Sequence, residues 1–311
     1  MAAAFVTLRD LEGLDRDAKK GGRAVVIGGG LIGVEAAEIL HARGLHVTFV
    51  VRESWYFPLA LDDKEAALVT EHMRHHGIDV RFGVNVTDIA HGEGGGPRAV
   101  RLDTGDEVAC DVVVSAIGVV PNTGFLEGSG LALAKGGAIE VDEGLKASAP
   151  DVYAAGDCAN VTWADGSRRP EQLWYTARDQ GRVVARAMLG DEVIYRRGTW
   201  YNSAKFFDIE WTTAGWVPAL LNWDNTPLEV GAEIRSWFQR VPGQFVSQRV
   251  VVKGDRVVGF NMLGSRWDHE VFLQWIHDRR SLDFVLAHMA EAQFDEEFTP
   301  KFRVLSPVGP R

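Results

Sequence analysis

The sequence predicts an α/β protein whose N-terminal region is built on a parallel sheet covered on both faces by helices. Residues 23–27, Arg-Ala-Val-Val-Ile, form a short continuous apolar run, which is typical of a strand buried on both faces. A glycine-rich turn and a helical stretch at residues 31–43 follow directly, and Gly44 is a common kind of helix end. A second apolar run at residues 45–51 completes a strand, helix and strand unit.

The glycine turn predicts a dinucleotide-binding site in a Rossmann-like domain at residues 23–119. Gly28, Gly30 and Gly33 fit the pattern G-x-G-x-x-G in its expected place between a strand and a helix. The first glycine permits a tight turn, the second lets a pyrophosphate approach, and the third lets helix and strand pack closely. The helix would direct free amides and its positive dipole end at the phosphates. The expected NAD(P) contacts come from the turn and the start of the helix: Gly28, Gly29, Gly30, Leu31, Ile32 and Gly33.

The end of the second strand bears on the choice of nicotinamide cofactor. An acidic side chain there bonds the ribose hydroxyls of NAD, whereas an arginine favours the extra phosphate of NADP. Arg52 and Glu53 offer both chemistries, and Glu53 lies about 20 residues past the third glycine, where the acidic residue is expected. We expect NADH, with NADPH left open and with two ordinary solvated charges as the alternative to any cofactor role.

The remaining elements follow from apolar periodicity and turn signals. The nucleotide-binding domain continues with a helix at 62–76 and strands at 78–82, 84–89, 99–102, 107–109 and 111–118. A short strand is predicted at 5–8, a strand at 151–157 that ends in Gly156 and Asp157, and a helix at 172–189. The C-terminal region is predicted to be α+β, with strands at 206–212, 246–252 and 257–263 and helices at 270–276 and 282–291.

Three motifs, in order along the chain, resemble the pyridine nucleotide-disulfide oxidoreductase superfamily. They are the glycine fingerprint at 28–35, the stretch at 112–122, which resembles the family's A-x-G-x-x-P-N segment, and residues 152–157, which resemble its second FAD motif. The best match is the subgroup without a redox disulfide, such as NAD(P)H-dependent ferredoxin, rubredoxin and nitrite reductases. Residues 191–311 resemble the family's α+β interface or dimerisation domain by fold-level analogy.

The resemblance implies FAD and NAD(P)H as cofactors and assigns roles to particular residues. Asp157 would bind the ribityl chain of FAD, and Gly156 would let the cofactor approach the backbone; a simple turn is the alternative. Ile117 and Gly118 lie in the segment that returns the chain from the NAD domain to the FAD domain, and would contact cofactor. Glu35 would orient the nicotinamide, as a catalytic residue, unless it is an ordinary first-turn helix glutamate favoured by the dipole.

The resemblance also predicts that one part of the family architecture lies outside this sequence. Family members begin with an FAD-binding βαβ unit that has its own glycine turn, and residues 1–22 resemble only the connector after that unit. Residues 120–190 would then form a partial FAD-binding segment with exposed strand edges and apolar surface. We expect another subunit to supply the missing half; a truncated reductase and a degenerate relative that binds only a nicotinamide nucleotide are the alternatives.

Composition narrows the setting of the protein. The net charge of −10 argues against binding to nucleic acid or to anionic membranes. No apolar run approaches the ~20 residues that span a bilayer. The two cysteines, Cys110 and Cys158, indicate a reducing cytoplasm and are not spaced as a redox pair, so each is expected to be a packing residue.

Two histidine-containing segments are weaker candidates for chemistry. His269 and Glu270 superficially suggest the catalytic pair of the disulfide reductases, but they read as a capped helix start. His72, His75 and His76 share one predicted helix. A metal site there needs carboxylate or cysteine support that the sequence does not place, so we predict a polar helix face and no metal.

Together these observations predict a subunit of an NAD(P)H-dependent FAD oxidoreductase. A hydride would pass from the nicotinamide to the flavin, and the electrons would leave to a carrier protein or a small acceptor. An oligomer is expected. The alternative function is that of a nucleotide-binding or assembly subunit without catalysis.

Overall fold

The computed structural model describes residues 2–4, 6–163, 166–221, 226–294 and 302–305. The chain forms two compact units, one made of residues 1–118 with 201–311 and the other of residues 119–200. The helices are α1 (Leu8–Asp17), α2 (Leu31–Ala42), α3 (Asp63–His75), α4 (Trp174–Met188), α5 (His269–His277) and α6 (Leu282–His288). The strands are β1 (Ala2–Ala4), β2 (Arg23–Ile27), β3 (His46–Val51), β4 (Asp79–Phe82), β5 (Val86–His91), β6 (Pro97–Leu102), β7 (Glu107–Ala109), β8 (Val112–Ser115), β9 (Ile139–Glu140), β10 (Ala159–Thr162), β11 (Arg168–Arg169), β12 (Tyr201–Phe206), β13 (Ile209–Gly215), β14 (Ile234–Arg240), β15 (Ser247–Lys253) and β16 (Arg256–Leu263).

The parallel sheet of the first unit has the strand order β1-β8-β2-β3-β4, which confirms the predicted α/β fold. Its central strands are buried on both faces because β2 and β3 read as continuous apolar runs. Helix α2 packs on β2 and β3. The expectation that helices cover both faces of the parallel sheet is wrong for one face. On that face the antiparallel sheet β5-β6-β7 packs Val100, Leu102 and Val108 against Val25 and Val113.

Helix boundaries in this sheet region follow local sequence signals. Gly44 and Gly77 follow α2 and α3 with φ of +82° each, the left-handed conformation that glycine adopts most easily. Helix α3 begins with a capping box. The Asp62 carboxylate accepts from the Glu65 amide at 2.9 Å, and the Glu65 carboxylate accepts from the Asp62 amide at 3.0 Å. These local signals set the ends of α2, which follows the glycine turn, and of α3, which follows the end of β3.

The C-terminal part of the same unit is an antiparallel sheet with the order β12-β13-β16-β15-β14. Helices α5 and α6 cover one face of it, and the rings of Phe260 and Phe272 stack with centroids 4.2 Å apart in the core between them. A turn around Gly254 joins β15 to β16. This is the α+β arrangement that the sequence predicted.

The second unit, residues 119–200, is small and has short strands. Its sheet has the order β11-β10-β9, and its apolar core is completed by side chains of α4 such as Val183 and Val184. Several large apolar side chains of the unit are exposed, from 40% at Leu133 to 86% at Leu189. The others are Val119, Val120, Phe125, Trp174, Met188 and Ile194.

Three predicted elements need correction. The first strand is β1. Of the stretch 5–8 that was predicted as a strand, residue 5 lies outside the described residues, and residues 6–8 lead into α1, which Thr7 caps by accepting from the Asp10 amide. Residues 206–212 are not one strand, since the chain turns at Phe207 and Asp208 between β12 and β13. Residues 151–157 form a single bridge at Tyr153 rather than a strand. The sequence analysis did not predict β14, an edge strand.

No helix within the described ranges combines the length and the apolar character needed to cross a membrane.

Candidate nucleotide-binding site

The first glycine of the turn occupies a position that no other residue fits. Gly28 lies just after β2 with φ of +115°, and its amide donates to the Val50 carbonyl at 2.9 Å. A Cβ at Gly28 would lie 2.3 Å from the carbonyl oxygen of Ala116, which follows β8. The turn is therefore held between the ends of β3 and β8, and a side chain here would force the backbone apart.

Gly30 and Gly33 differ in the space available for a side chain, as their predicted roles require. A Cβ at Gly33 would lie 2.0 Å from the Gly28 carbonyl oxygen, so this glycine allows α2 to pack directly on the turn. A Cβ at Gly30 would meet nothing within 4 Å, and its φ of −86° is ordinary. Gly30 is thus not needed for packing, and the open space over it is where a pyrophosphate can approach the backbone.

The start of α2 presents backbone amides beside this space. Gly30 is the N-cap residue and supplies no side-chain hydrogen bond to the first turn. The first helical bond is donated by the Val34 amide to the Gly30 carbonyl at 3.2 Å. The amides of Leu31, Ile32 and Gly33 precede it, and they are the donors that an anion at a helix N-terminus uses.

The predicted cofactor residues after β8 lie next to the glycine turn. Ala116 donates to the Ile27 carbonyl at 2.8 Å, which brings the carboxyl ends of β2 and β8 together. Ile117 follows with 77% of its surface exposed, and Gly118 has φ of +115°. In an open parallel sheet, ligands bind outside the carboxyl ends of the strands. The structure therefore brings Ile117 and Gly118 to the same edge as the glycine turn.

The two residues predicted to choose between NADH and NADPH bind each other. Arg52 Nε lies 2.7 Å from Glu53 Oε1 just past the end of β3. The Glu53 side chain is 21% exposed and that of Arg52 is 64% exposed. The carboxylate is therefore held at the strand end, while most of the guanidinium faces solvent.

Glu35 lies in the second turn of α2, so its interpretation as a first-turn residue favoured by the dipole is wrong. Surrounding protein atoms limit the hydration of its carboxyl and raise its pKa. Repulsion from Glu38 adds to this rise in pKa, and Lys205 opposes it.

The predicted FAD motif lies in the second unit, beside the first turns of α4. Gly156 has φ of +81°, and its amide donates to Gln180 Oε1 at 2.7 Å. Asp157 is exposed, and within the described part of the chain no hydrogen bond or ion pair engages its carboxylate. The motif is a loop rather than a strand end, which leaves the Asp157 carboxylate open to a ligand.

The structure also places the cysteines and histidines that the sequence singled out. Cys110 is buried and Cys158 half-buried, and both are free thiols. His269 and Glu270 begin α5, where Asp268 caps the helix as predicted. Asp208 contacts both His72 and His76, and so supplies the carboxylate that the sequence alone did not place beside them.

Sequence reasoning missed residues that act through contacts distant in the chain. Gln180, fully buried on α4, positions the Gly156 turn, and Ala116 closes over Gly28. The sequence does contain a signal for Gln180. It lies three and four residues before Val183 and Val184, so it shares the apolar face of the helix. Ala116 carries no such signal, because its role depends on its backbone oxygen alone.

Residues 3–181 match the family described as pyridine nucleotide-disulphide oxidoreductase. This match covers more than half of the chain, and the chain belongs to that family, as its three motifs predicted. FAD and NAD(P)H are the cofactors of the family.

Particular relatives give the comparison more detail. The chain is 35% identical over 196 residues, 62% of its length and 47% of the relative's, to a 5,5'-dehydrodivanillate O-demethylase ferredoxin reductase subunit of Sphingobium sp.. It is 25% identical over 292 residues, 89% of its length and 63% of the relative's, to the ferredoxin–NAD(+) reductase component of a p-cumate 2,3-dioxygenase system of Pseudomonas putida. Among solved structures, a NAD-dependent persulfide reductase from A. fulgidus is similar, with a TM-score of 0.75, 26% identity, and coverage of 92% of this chain and 54% of that one. The chain thus spans less than two thirds of the length of these proteins.

Proposed function

We propose that this chain is the nicotinamide-binding and interface part of an NAD(P)H-dependent FAD oxidoreductase that delivers electrons to a ferredoxin-type carrier. Residues 23–119 bind the nicotinamide nucleotide, residues 120–190 hold part of FAD, and residues 191–311 serve as the interface domain. The carrier class is inferred from relatives whose names describe ferredoxin reductases.

The observation that carries the proposal is the geometry of the glycine turn. Gly28 and Gly33 have no room for a Cβ, whereas Gly30 has open space above it and free helix amides beside it. This combination suits a pyrophosphate, whose charge the helix N-terminus stabilises. In a glycine loop that binds no ligand, nothing would require both the absence of side chains at Gly28 and Gly33 and an open space above Gly30.

The chain's own residues orient and bind rather than transfer protons. When bound, FAD would supply the hydride acceptor for the nicotinamide and the route by which electrons leave for the carrier. Glu35, on the helix that begins at the turn, orients the nicotinamide. Asp157 accepts hydrogen bonds from the ribityl hydroxyls, which its open carboxylate suits.

We further propose that a separate polypeptide supplies the ADP-binding half of FAD. The exposed apolar side chains of the second unit support this, because Val120, Phe125 and Leu189 are each at least 80% exposed. Single exposed apolar residues are common, but so many in a unit with strands of two to four residues favour a packing partner.

The test is whether FAD stays with the purified chain. We expect the chain alone to be colourless while still binding NADH, and to retain FAD when co-expressed with a chain that carries a G-x-G-x-x-G start. Retention of FAD by the chain alone would contradict the need for a partner. NADH binding with no flavin recovered under any pairing would instead favour a nucleotide-binding or assembly subunit.

The substitution Glu53→Gln is expected to shift cofactor preference towards NADPH by about tenfold, measured as the ratio of the two dissociation constants. The amide no longer holds Arg52 in an ion pair and is a weaker acceptor for the ribose hydroxyls. The matched control is Asp17→Asn, which breaks another exposed pair between adjacent residues, Arg16 and Asp17. An unchanged ratio in Glu53→Gln would remove Glu53 from the cofactor site.

A further inference from the structure

A cluster of two histidines and a carboxylate lies outside the nucleotide-binding site. His72 and His76 are one turn apart at the end of α3, and Asp208 lies in the turn between β12 and β13. His76 Nε2 is 3.2 Å from His72 Nε2 and 3.1 Å from Asp208 Oδ1. His72 Nε2 contacts the same carboxylate oxygen more closely still. Three atoms that can each offer a lone pair therefore converge on one point.

Two of the three separations match the coordination shell of a zinc ion, and the third, between His72 Nε2 and Asp208 Oδ1, is shorter than that shell requires. Imidazole nitrogen and carboxylate oxygen bind Zn²⁺ at about 2.0–2.2 Å, which places neighbouring ligand atoms of a tetrahedral site about 3.3 Å apart. Both distances from His76 Nε2 lie close to that value. Two imidazoles with one carboxylate are also a ligand set that suits this metal.

Hydrogen bonding alone accounts for the cluster less well. A neutral imidazole carries one N–H, so both rings would have to aim that group at the same Asp208 oxygen while their nitrogens lie 3.2 Å apart. An ion bound by three lone pairs removes this crowding, because each of the three atoms then faces the metal.

The surroundings hold the rings in place and leave one side open. The His72 side chain is 4% exposed and lies edge-on to Phe245, with ring centroids 4.5 Å apart. His76 stacks on Phe207 with centroids 5.1 Å apart. The Asp208 side chain is 74% exposed, so water can reach a fourth coordination position.

We infer that His72, His76 and Asp208 form a zinc-binding site whose fourth ligand is water. The ion joins α3 of the parallel-sheet region to the β12–β13 turn of the C-terminal sheet, and both belong to the same compact unit. Its role is that of a cross-link between these two regions. The inference does not depend on the proposed redox function.

The test uses the full chain after removal of metal with a chelator. Titration with ZnCl₂ in a calorimeter is expected to show one site per chain and a rise in the thermal unfolding midpoint, since zinc binds the folded state. Asp208→Asn is expected to weaken zinc binding by at least about tenfold and to reduce the rise at the same zinc concentration. His76→Asn, at a half-buried position, provides a second variant with the same expected loss.

The matched control is His75→Ala, which removes the exposed histidine next to His76 on the same helix and leaves the three ligands intact. This variant is expected to bind zinc as tightly as the unaltered chain. Equal affinity in Asp208→Asn and the unaltered chain, or equal loss in His75→Ala and Asp208→Asn, would overturn the inference. Co²⁺ added as a probe is expected to give the strong visible absorption of a tetrahedral site only when Asp208 is present.

Discussion

Arg249→Met is expected to lower the free energy of unfolding by about 3–5 kcal/mol at pH 8, because it leaves a carboxylate buried without its partner. Arg249 on β15 donates from Nε and Nη2 to the two oxygens of Glu65 on α3, at 2.9 and 2.7 Å. The exposed fraction is 3% for the arginine side chain and 0% for the glutamate. Chemical denaturation of the two proteins measures the difference.

The effect of Arg249→Met depends on pH with a defined sign. Burial raises the pKa of Glu65 to about 7, and Arg249 opposes that rise. A carboxyl whose pKa is raised on folding contributes stability below its unfolded pKa, and this contribution is lost as the pH rises through the folded pKa. Without Arg249 the pKa of Glu65 rises further, so we expect the destabilisation to be smaller at about pH 5 than at about pH 8.

Two further variants make the Arg249 result specific. Arg240→Met breaks another ion pair between α3 and the C-terminal sheet, that of Arg240 with Glu71, but both of its side chains are exposed. It is expected to cost about 1 kcal/mol or less. The double variant Arg249→Met with Glu65→Leu removes both charges and is expected to recover most of the lost stability. A single-variant loss no larger than that of Arg240→Met would contradict the assigned role of the buried pair.

Gly30→Ala is expected to weaken NADH binding by about tenfold or more and to lower the thermal unfolding midpoint much less than Gly33→Ala does. The added methyl meets no protein atom within 4 Å and the backbone conformation at Gly30 is ordinary, so the fold bears only the cost of alanine in place of glycine at the N-cap. The same methyl occupies the space through which the pyrophosphate approaches the backbone. Fluorescence titration with NADH and a thermal unfolding scan measure the two effects separately.

Comparison with two other glycines separates binding from folding. Gly33→Ala places a Cβ 2.0 Å from the Gly28 carbonyl oxygen and is expected to lower stability as well as NADH affinity. Gly94→Ala, in an exposed turn where a Cβ meets nothing, is expected to change neither. If Gly30→Ala binds NADH as tightly as Gly94→Ala does, the nucleotide does not use this turn.

The sequence predicted the glycine turn well because its information is local. Strand, turn, helix and glycine stop all lie within residues 23–51, and each acts through near neighbours. The reason that Gly28 must be glycine is different, since the clashing oxygen belongs to Ala116 at the end of a distant strand. Periodicity places β8 as a strand but does not give its position next to β2.

The predictions that were wrong or missing depend on residues that are distant in the chain or on the place of a strand in its sheet. The carboxylate beside His72 comes from Asp208, 136 positions along the chain, so the three histidines alone favoured a polar helix face. Most side chains of residues 206–212 are aromatic or β-branched types common in strands, and the turn at Phe207 and Asp208 is set by antiparallel pairing of β12 with β13. Strand β14 escaped prediction because it lies at a sheet edge and is only partly buried.

The proposed function requires that the glycine turn bring a nicotinamide to a flavin held jointly with another polypeptide. The most direct measurement is the visible flavin absorbance of the complex reconstituted with an FAD-domain partner, followed without oxygen after NADH is added. We expect NADH to bleach the flavin in the unaltered complex, and to do so much more slowly at the same NADH concentration when the complex carries Gly30→Ala. Equal bleaching rates in the two complexes, or no bleaching in a complex that retains FAD, would contradict this account.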